Sequence, residues 1–148
     1  MREHPSITRA ARALVSEHGT LRQLLSRVVA AFGGPTSLGA AGPDVVSARL
    51  DTLRGPLAAH FDEEERAGLF EQIEEQAPEH SASCIRLRRQ HQRLLQRLDL
   101  LRRATPLERR GPSWTREVRS LVDDIYGHEA CETDLLTRAL DGGTAAGD

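Results

Sequence analysis

Four histidines and two glutamates stand at spacings suited to a metal centre. His60 and Glu64 are four residues apart, as are His128 and Glu132. On a helix each pair leaves the same face, one turn above the other. His18 and His91 take the matching positions of two further helical stretches. All six fall on stripes that are otherwise apolar, where an imidazole or a carboxylate is costly unless something pairs with it. Facing one another, they would leave many lone pairs unsatisfied, a deficit that a cation removes. Imidazole with carboxylate suits iron, zinc or manganese, and thiolate ligation is absent from the set. Two carboxylates can bridge two metals. The spacing then divides the imidazoles into His18 with His60 and His91 with His128, Glu64 and Glu132 spanning both.

Four helices are needed to position these groups. The first is expected from Ser6, a capping residue after Pro5, to about Phe32, with apolar positions Ile7, Ala11, Leu14, Leu21, Leu25, Val28 and Phe32. Its four-three rhythm is complete only when His18 is counted. Gly33-Gly34-Pro35 ends it, and the chain to Pro43 reads as a flexible connection. The second starts near Asp44 and carries Val46, Leu50, Leu53, Leu57, His60, Glu64 and Ala67. Pro56 predicts a kink or a fresh start one turn before His60. This helix fades through Glu75 and stops before Pro78. The third runs from about Glu79 through Cys84, Leu87, His91, Leu94, Leu98 and Leu101, up to a turn holding Thr105-Pro106 and Gly111-Pro112. The fourth opens at Ser113 and repeats the rhythm through Trp114, Val118, Leu121, Ile125, His128, Glu132, Leu135 and Ala139. Gly142-Gly143 closes it.

The expected fold is therefore all-α, an antiparallel up-down-up-down four-helix bundle. It forms one domain over 1–148, with the bundle at about 6–140 and a flexible tail at 141–148. Counting along the helices puts the histidines at one height. His18 lies 14 residues before Phe32, His60 14 after Val46 and His128 14 after Trp114. At the rise of a helix each is roughly 21 Å from that end of the bundle.

Composition agrees. Aromatics are 3% of the chain, and the helix formers Leu, Ala, Glu, Gln and Arg dominate. A net charge of −2 gives no general pull toward nucleic acid or anionic lipid. All 20 basic residues are Arg. Met1 to Ala10 lacks the apolar stretch of a secretory signal, and no apolar run reaches the roughly 18 residues that span a bilayer. A cytoplasmic protein is expected, a monomer or weak dimer without nucleic-acid or membrane partners. Cys84 and Cys131 make neither a disulfide framework nor a Cys-x-x-Cys site. Cys84 reads as a small buried hydrophobe, whereas Cys131 adjoins Glu132.

The pattern His18, His60-x-x-x-Glu64, His91, His128-x-x-x-Glu132 resembles the hemerythrin family and its bacterial HHE cation-binding members. The resemblance covers about Ser6 to Ala139. It implies a four-helix bundle holding two iron ions with oxo or hydroxo and carboxylate bridges. It also implies small-molecule partners: O2, NO or H2O2. One departure stands out. Oxygen-carrying hemerythrins have a second histidine one turn from the first on the third helix. Here the neighbours of His91 at that spacing are Leu87, Arg88, Leu94 and Leu95. Glu63 and Asp124 are the nearest carboxylates to make up the missing ligand. Such an open position favours small-molecule reactivity over reversible O2 carriage.

Three functions remain in view: a di-iron protein that binds or turns over O2, NO or peroxide; an iron sensor, store or donor; and a metal-free interaction bundle. A phosphate-binding loop, a nucleophile elbow, a His-Glu-x-x-His motif and the Glu-x-x-His pairs of ferritin-like oxidases are all missing. The arginines of the third helix (Arg86, Arg88, Arg89, Arg93, Arg97, Arg102, Arg103) are expected to pair with acidic neighbours rather than to bind nucleic acid. Gly19 and Gly127, beside His18 and His128, either leave room for a small molecule or allow close helix approach, with packing preferred. Tyr126 lies off the stripe. His4 and His80 are expected at the surface.

Overall fold

The computed structural model describes residues 5–32 and 42–145. The connection expected at 33–41, His4 and the last three residues lie outside these. Among the described residues the chain is all-helical, with no strand: α1 (Pro5–Ala31), α2 (Pro43–Arg66), α3 (Leu69–Gln76), a 3-10 turn (Pro78–His80), α4 (Ser81–Arg102), α5 (Pro106–Arg109) and α6 (Pro112–Ala145). No helix among them is long and apolar enough to cross a membrane.

Three boundaries differ from expectation. The second helix runs unbroken through Pro56, which is exposed at the edge of the stripe that carries the fully buried Leu53 and Leu57. The burial of those leucines outweighs one lost backbone bond. The interruption comes instead at Gly68, whose φ of 70° suits glycine and turns the chain into α3. The last helix continues past Gly142-Gly143 to Ala145. Glycine is a poor helix former, but the disadvantage of about 1 kcal/mol per residue does not by itself end a helix. Between α4 and α6, Thr105 caps α5, its Oγ1 accepting from the Glu108 N–H at 3.2 Å.

Helix neighbours can be read from their side-chain bonds. Arg54 on α2 grips Asp99 on α4 with two bonds of 2.8 and 3.3 Å, and Arg102 reaches Asp51 at 2.8 Å. The Trp114 indole of α6 donates to the Leu101 carbonyl at 3.1 Å, and Arg97 pairs with Asp124. Residue numbers thus fall along α4 as they rise along its contacts on α2 and α6. Arg88 of α4 pairs with Glu71 and Glu74 and lies 5.6 Å from the centre of the Phe70 ring, holding α3 in place. Arg88, Arg97 and Arg102 therefore pair with acidic neighbours, on α3 and α6 as well as α2.

Buried apolar side chains form two clusters. The larger includes Leu21, Leu25, Leu50, Leu53, Leu57, Phe61, Leu98, Trp114, Leu121 and Ile125. The smaller holds Leu14, Leu69, Phe70, Ile73, Cys84, Leu87, Leu135 and Leu136. Between them, by position along each helix, runs a polar layer.

Candidate metal centre

Each long helix brings its seam residues into this layer. His18 comes from α1, His60 and Glu64 from α2, His91 from α4, and His128 and Glu132 from α6. All six are buried, none more than 5% exposed. They form two overlapping groups: His18, His60, Glu64 and Glu132, and then Glu64, His91, His128 and Glu132. Within each group one nitrogen or carboxylate oxygen per residue lies within 4.8 Å of all the others. The two carboxylates belong to both.

The inward atom of every histidine is Nε2. That of His18 is 3.1 Å from a Glu132 oxygen and 3.9 Å from one of Glu64. That of His91 is 3.0 Å from Glu64 and 3.2 Å from Glu132. His60 and His128 each turn Nε2 toward the glutamate one turn later on the same helix, Glu64 and Glu132. Yet His60 Nε2, His128 Nε2 and both Glu64 oxygens lack any partner in hydrogen-bonding geometry. Buried polar atoms rarely stay unpaired in proteins. His18 and His91 bond Glu132, but the four atoms left unpaired beside them are what a shared cation would satisfy, so the residues present fit a metal.

Three imidazoles are held from outside through Nδ1. His60 meets Glu17 of α1 at 2.8 Å, His91 meets Glu65 of α2 at 3.2 Å, and His128 meets Gln90 of α4 at 2.7 Å. Such partners fix ring orientation and aim the other nitrogen inward. Phe61 stacks on His91, ring centres 4.1 Å apart and 10° from parallel, and meets His128 edge-on at 5.3 Å. On the other side a cavity of about 10 Å³ touches Glu64 and Glu132, walled by Leu14, Leu69, Phe70, Ile73, Leu135 and Leu136.

Burial favours neutral imidazole, but the negative charge of Glu64 and Glu132 beside both rings, with Glu17 bonded to His60, outweighs it. Together these raise His60 and His91 from 6.5 to about 9. Burial pushes the Glu64 carboxyl up. Burial acts likewise on Glu132, yet the imidazoles of His128, His18 and His91 crowd against it and hold it well below the usual carboxylate range.

The supplementary ligands suggested by the sequence do not join the layer. Glu63 is exposed, and Asp124 pairs with Arg97 at the surface. Gly19 and Gly127 face outward, and an added Cβ would have nothing within 4 Å at either. Close helix approach therefore does not account for them, and Gly127 lines an open cavity of about 380 Å³ beside His128. Cys84 is buried in the smaller cluster, while Cys131 is exposed. His80 is half-buried in the 3-10 turn, and Tyr126 packs against the larger cluster.

Reading the stripes alone missed Glu17, Glu65 and Gln90, along with Glu129, which is 1% exposed beside His128. Each sits one residue off the seam, where a polar side chain looks solvated. Adjacency to a seam residue was the only available signal.

Fold and site together define a helical protein with a buried histidine–carboxylate cluster that could hold cations. The model of the hemerythrin HHE cation-binding domain family matches residues 5–140, so the chain belongs to that family. No curated protein and no solved structure matched it.

Proposed function

We propose that the chain is a non-haem di-iron protein that binds or turns over O2, NO or peroxide. In this reading α1, α2, α4 and α6 are the rods of an antiparallel up-down-up-down bundle, with α3 and α5 as embellishments. His18 and His60 would hold one iron, His91 and His128 the other, and Glu64 and Glu132 both. The observation that carries the reading is the pair of overlapping donor groups sharing two carboxylates. Glu64 and Glu132 belong to both groups and so could serve two cations, which one isolated site would not require. Bound iron would supply Lewis acidity and a reversible change of oxidation state. The chain's own residues would orient the imidazoles through Glu17, Glu65 and Gln90, and exclude bulk water with Phe61, Phe70 and Leu14.

The acceptors are small because the cavity at the carboxylates has room for about one water molecule. Four neutral imidazoles against two carboxylates suit iron better than magnesium or calcium, which favour oxygen ligands. A cytoplasmic monomer or weak dimer remains the working picture.

The test exposes iron-loaded protein in turn to O2, NO and H2O2, following the visible spectrum and gas evolution. A spectral change with one of these, lost in Glu64→Ala, is expected. An iron-loaded protein whose spectrum ignores all three would overturn the small-molecule reading and leave iron sensing or storage.

A further inference from the structure

The outer partners follow a rule with one gap. Glu17, next to His18 on α1, holds His60 on α2. Glu65, next to Glu64 on α2, holds His91 on α4. Gln90, next to His91 on α4, holds His128 on α6. Each helix thus supports the histidine of the next through a residue beside its own donor. Going round from α6 to α1, the corresponding support is due at a neighbour of His128, aimed at His18.

Glu129 occupies that place. It directly follows His128, is 1% exposed, and neither carboxylate oxygen has a hydrogen-bond partner. Its nearest cation is Arg22, whose Nε is 3.6 Å from Oε2. Arg22 lies four residues after His18, on the same face of α1. The carboxylate is therefore lodged against the stripe that carries His18. A buried anion without hydrogen bonds is expensive. The other three imidazoles aimed inward through Nε2 each have an Nδ1 partner. Among the described residues no bond of His18 Nδ1 is seen, although that nitrogen, unlike the Glu129 oxygens, is not one of the wholly buried unpaired atoms. The Nδ1–H of His18 would supply what the carboxylate lacks.

We infer that Glu129 is the outer partner of His18, a positioning residue that takes its Nδ1–H and aims Nε2 at the metal pair. The two are not hydrogen-bonded here, so the bond needs a side-chain rotation or a bridging water. Glu129 would also bring a third buried carboxylate to two cations, next to the His18 and His60 half of the centre. This inference rests on the metal reading above.

The experiment uses full-length protein labelled with 15N-histidine and loaded with Zn2+, which is diamagnetic, together with Glu129→Gln and Glu129→Leu. The Nδ1–H resonance of His18, identified by its loss in His18→Gln, is expected to exchange slowly with water in the wild type. In Glu129→Gln, which keeps an acceptor, it should shift but stay protected. In Glu129→Leu it should be lost to exchange, and competition with a coloured chelator should show one of two zinc ions held about 10- to 100-fold more weakly. If Glu129→Leu does not fold, an unmoved resonance in Glu129→Gln overturns the inference. A wild type that takes up two ions, with a Glu129→Leu variant indistinguishable from it, overturns this inference alone. A wild type that takes up neither zinc nor iron overturns the metal reading as well.

Discussion

The two apolar clusters on either side of the polar layer are built differently. The larger draws Leu21, Leu50, Leu53, Leu57, Leu98, Leu121 and Ile125 from four long helices at regular spacing. The smaller takes Leu14, Leu87 and Leu135 in the same way but is completed by Leu69, Phe70 and Ile73 of the short α3. One is simple seam packing and depends on no single residue for its geometry. The other depends on the left-handed turn at Gly68 and on Arg88 holding α3. The smaller one touches the carboxylates through the cavity beside Glu64 and Glu132. Periodic packing carries the fold, and an irregular segment closes the chemistry.

The comparison can be broken first in the larger cluster. Leu53→Ala removes a fully buried side chain there and should lower unfolding free energy by about 2–5 kcal/mol. Metal content per folded chain should stay at the wild-type value, because no donor moves. A parallel loss of metal would show that the cluster and the layer are not separable.

The layer itself should respond to pH in the opposite sense with and without metal. His60 and His91 have folded values near 9 against 6.5 unfolded. Being raised, they stabilise metal-stripped protein fully below about 6.5, and that contribution disappears as pH climbs through 9. Metal competes with those protons, so its affinity should rise over the same interval. Denaturant melts of chelator-stripped and reloaded protein at pH 6, 7.5 and 9.5 check both signs. Stripped protein that gains stability between 6.5 and 9 would contradict the raised values.

Gly68→Ala probes the smaller cluster. The added Cβ would have ordinary space, 3.8 Å from the Glu71 carboxylate, but φ of 70° is unfavourable for it by roughly 1–2 kcal/mol. Hydrogen exchange should quicken in α3 and leave the Leu53 region unchanged. The smallest effect is expected at Gly19→Ala, on an exposed helical face with open space, as a gain of about 0.5–1 kcal/mol in thermal or denaturant melts. A loss there would mean the glycine has a role in the layer after all.

What could be read from the sequence divides along the same line. The four long helices and the meeting of His18, His60, Glu64, His91, His128 and Glu132 follow from period and count, because seam packing is a local rule repeated four times. The break at Gly68 was not legible in this way. Pro56 is the louder helix breaker, and only the packing of Leu53 and Leu57 beneath it shows why the helix continues. Glu17, Glu65 and Gln90 were equally hidden. Their positions read as solvated, and their partners lie on other helices at separations of 43, 26 and 38 residues. Glu63 and Asp124, the nearest candidates for a further ligand, stay at the surface, as exposed carboxylates usually do: proximity along the chain did not bring them inward.

The most direct test is the iron-to-chain ratio of protein expressed with added iron, measured alongside His60→Ala and Glu64→Ala. The account predicts about two irons per wild-type chain, with each variant losing metal while its helical content persists. Wild-type protein without iron, or either variant retaining its full complement, would contradict it.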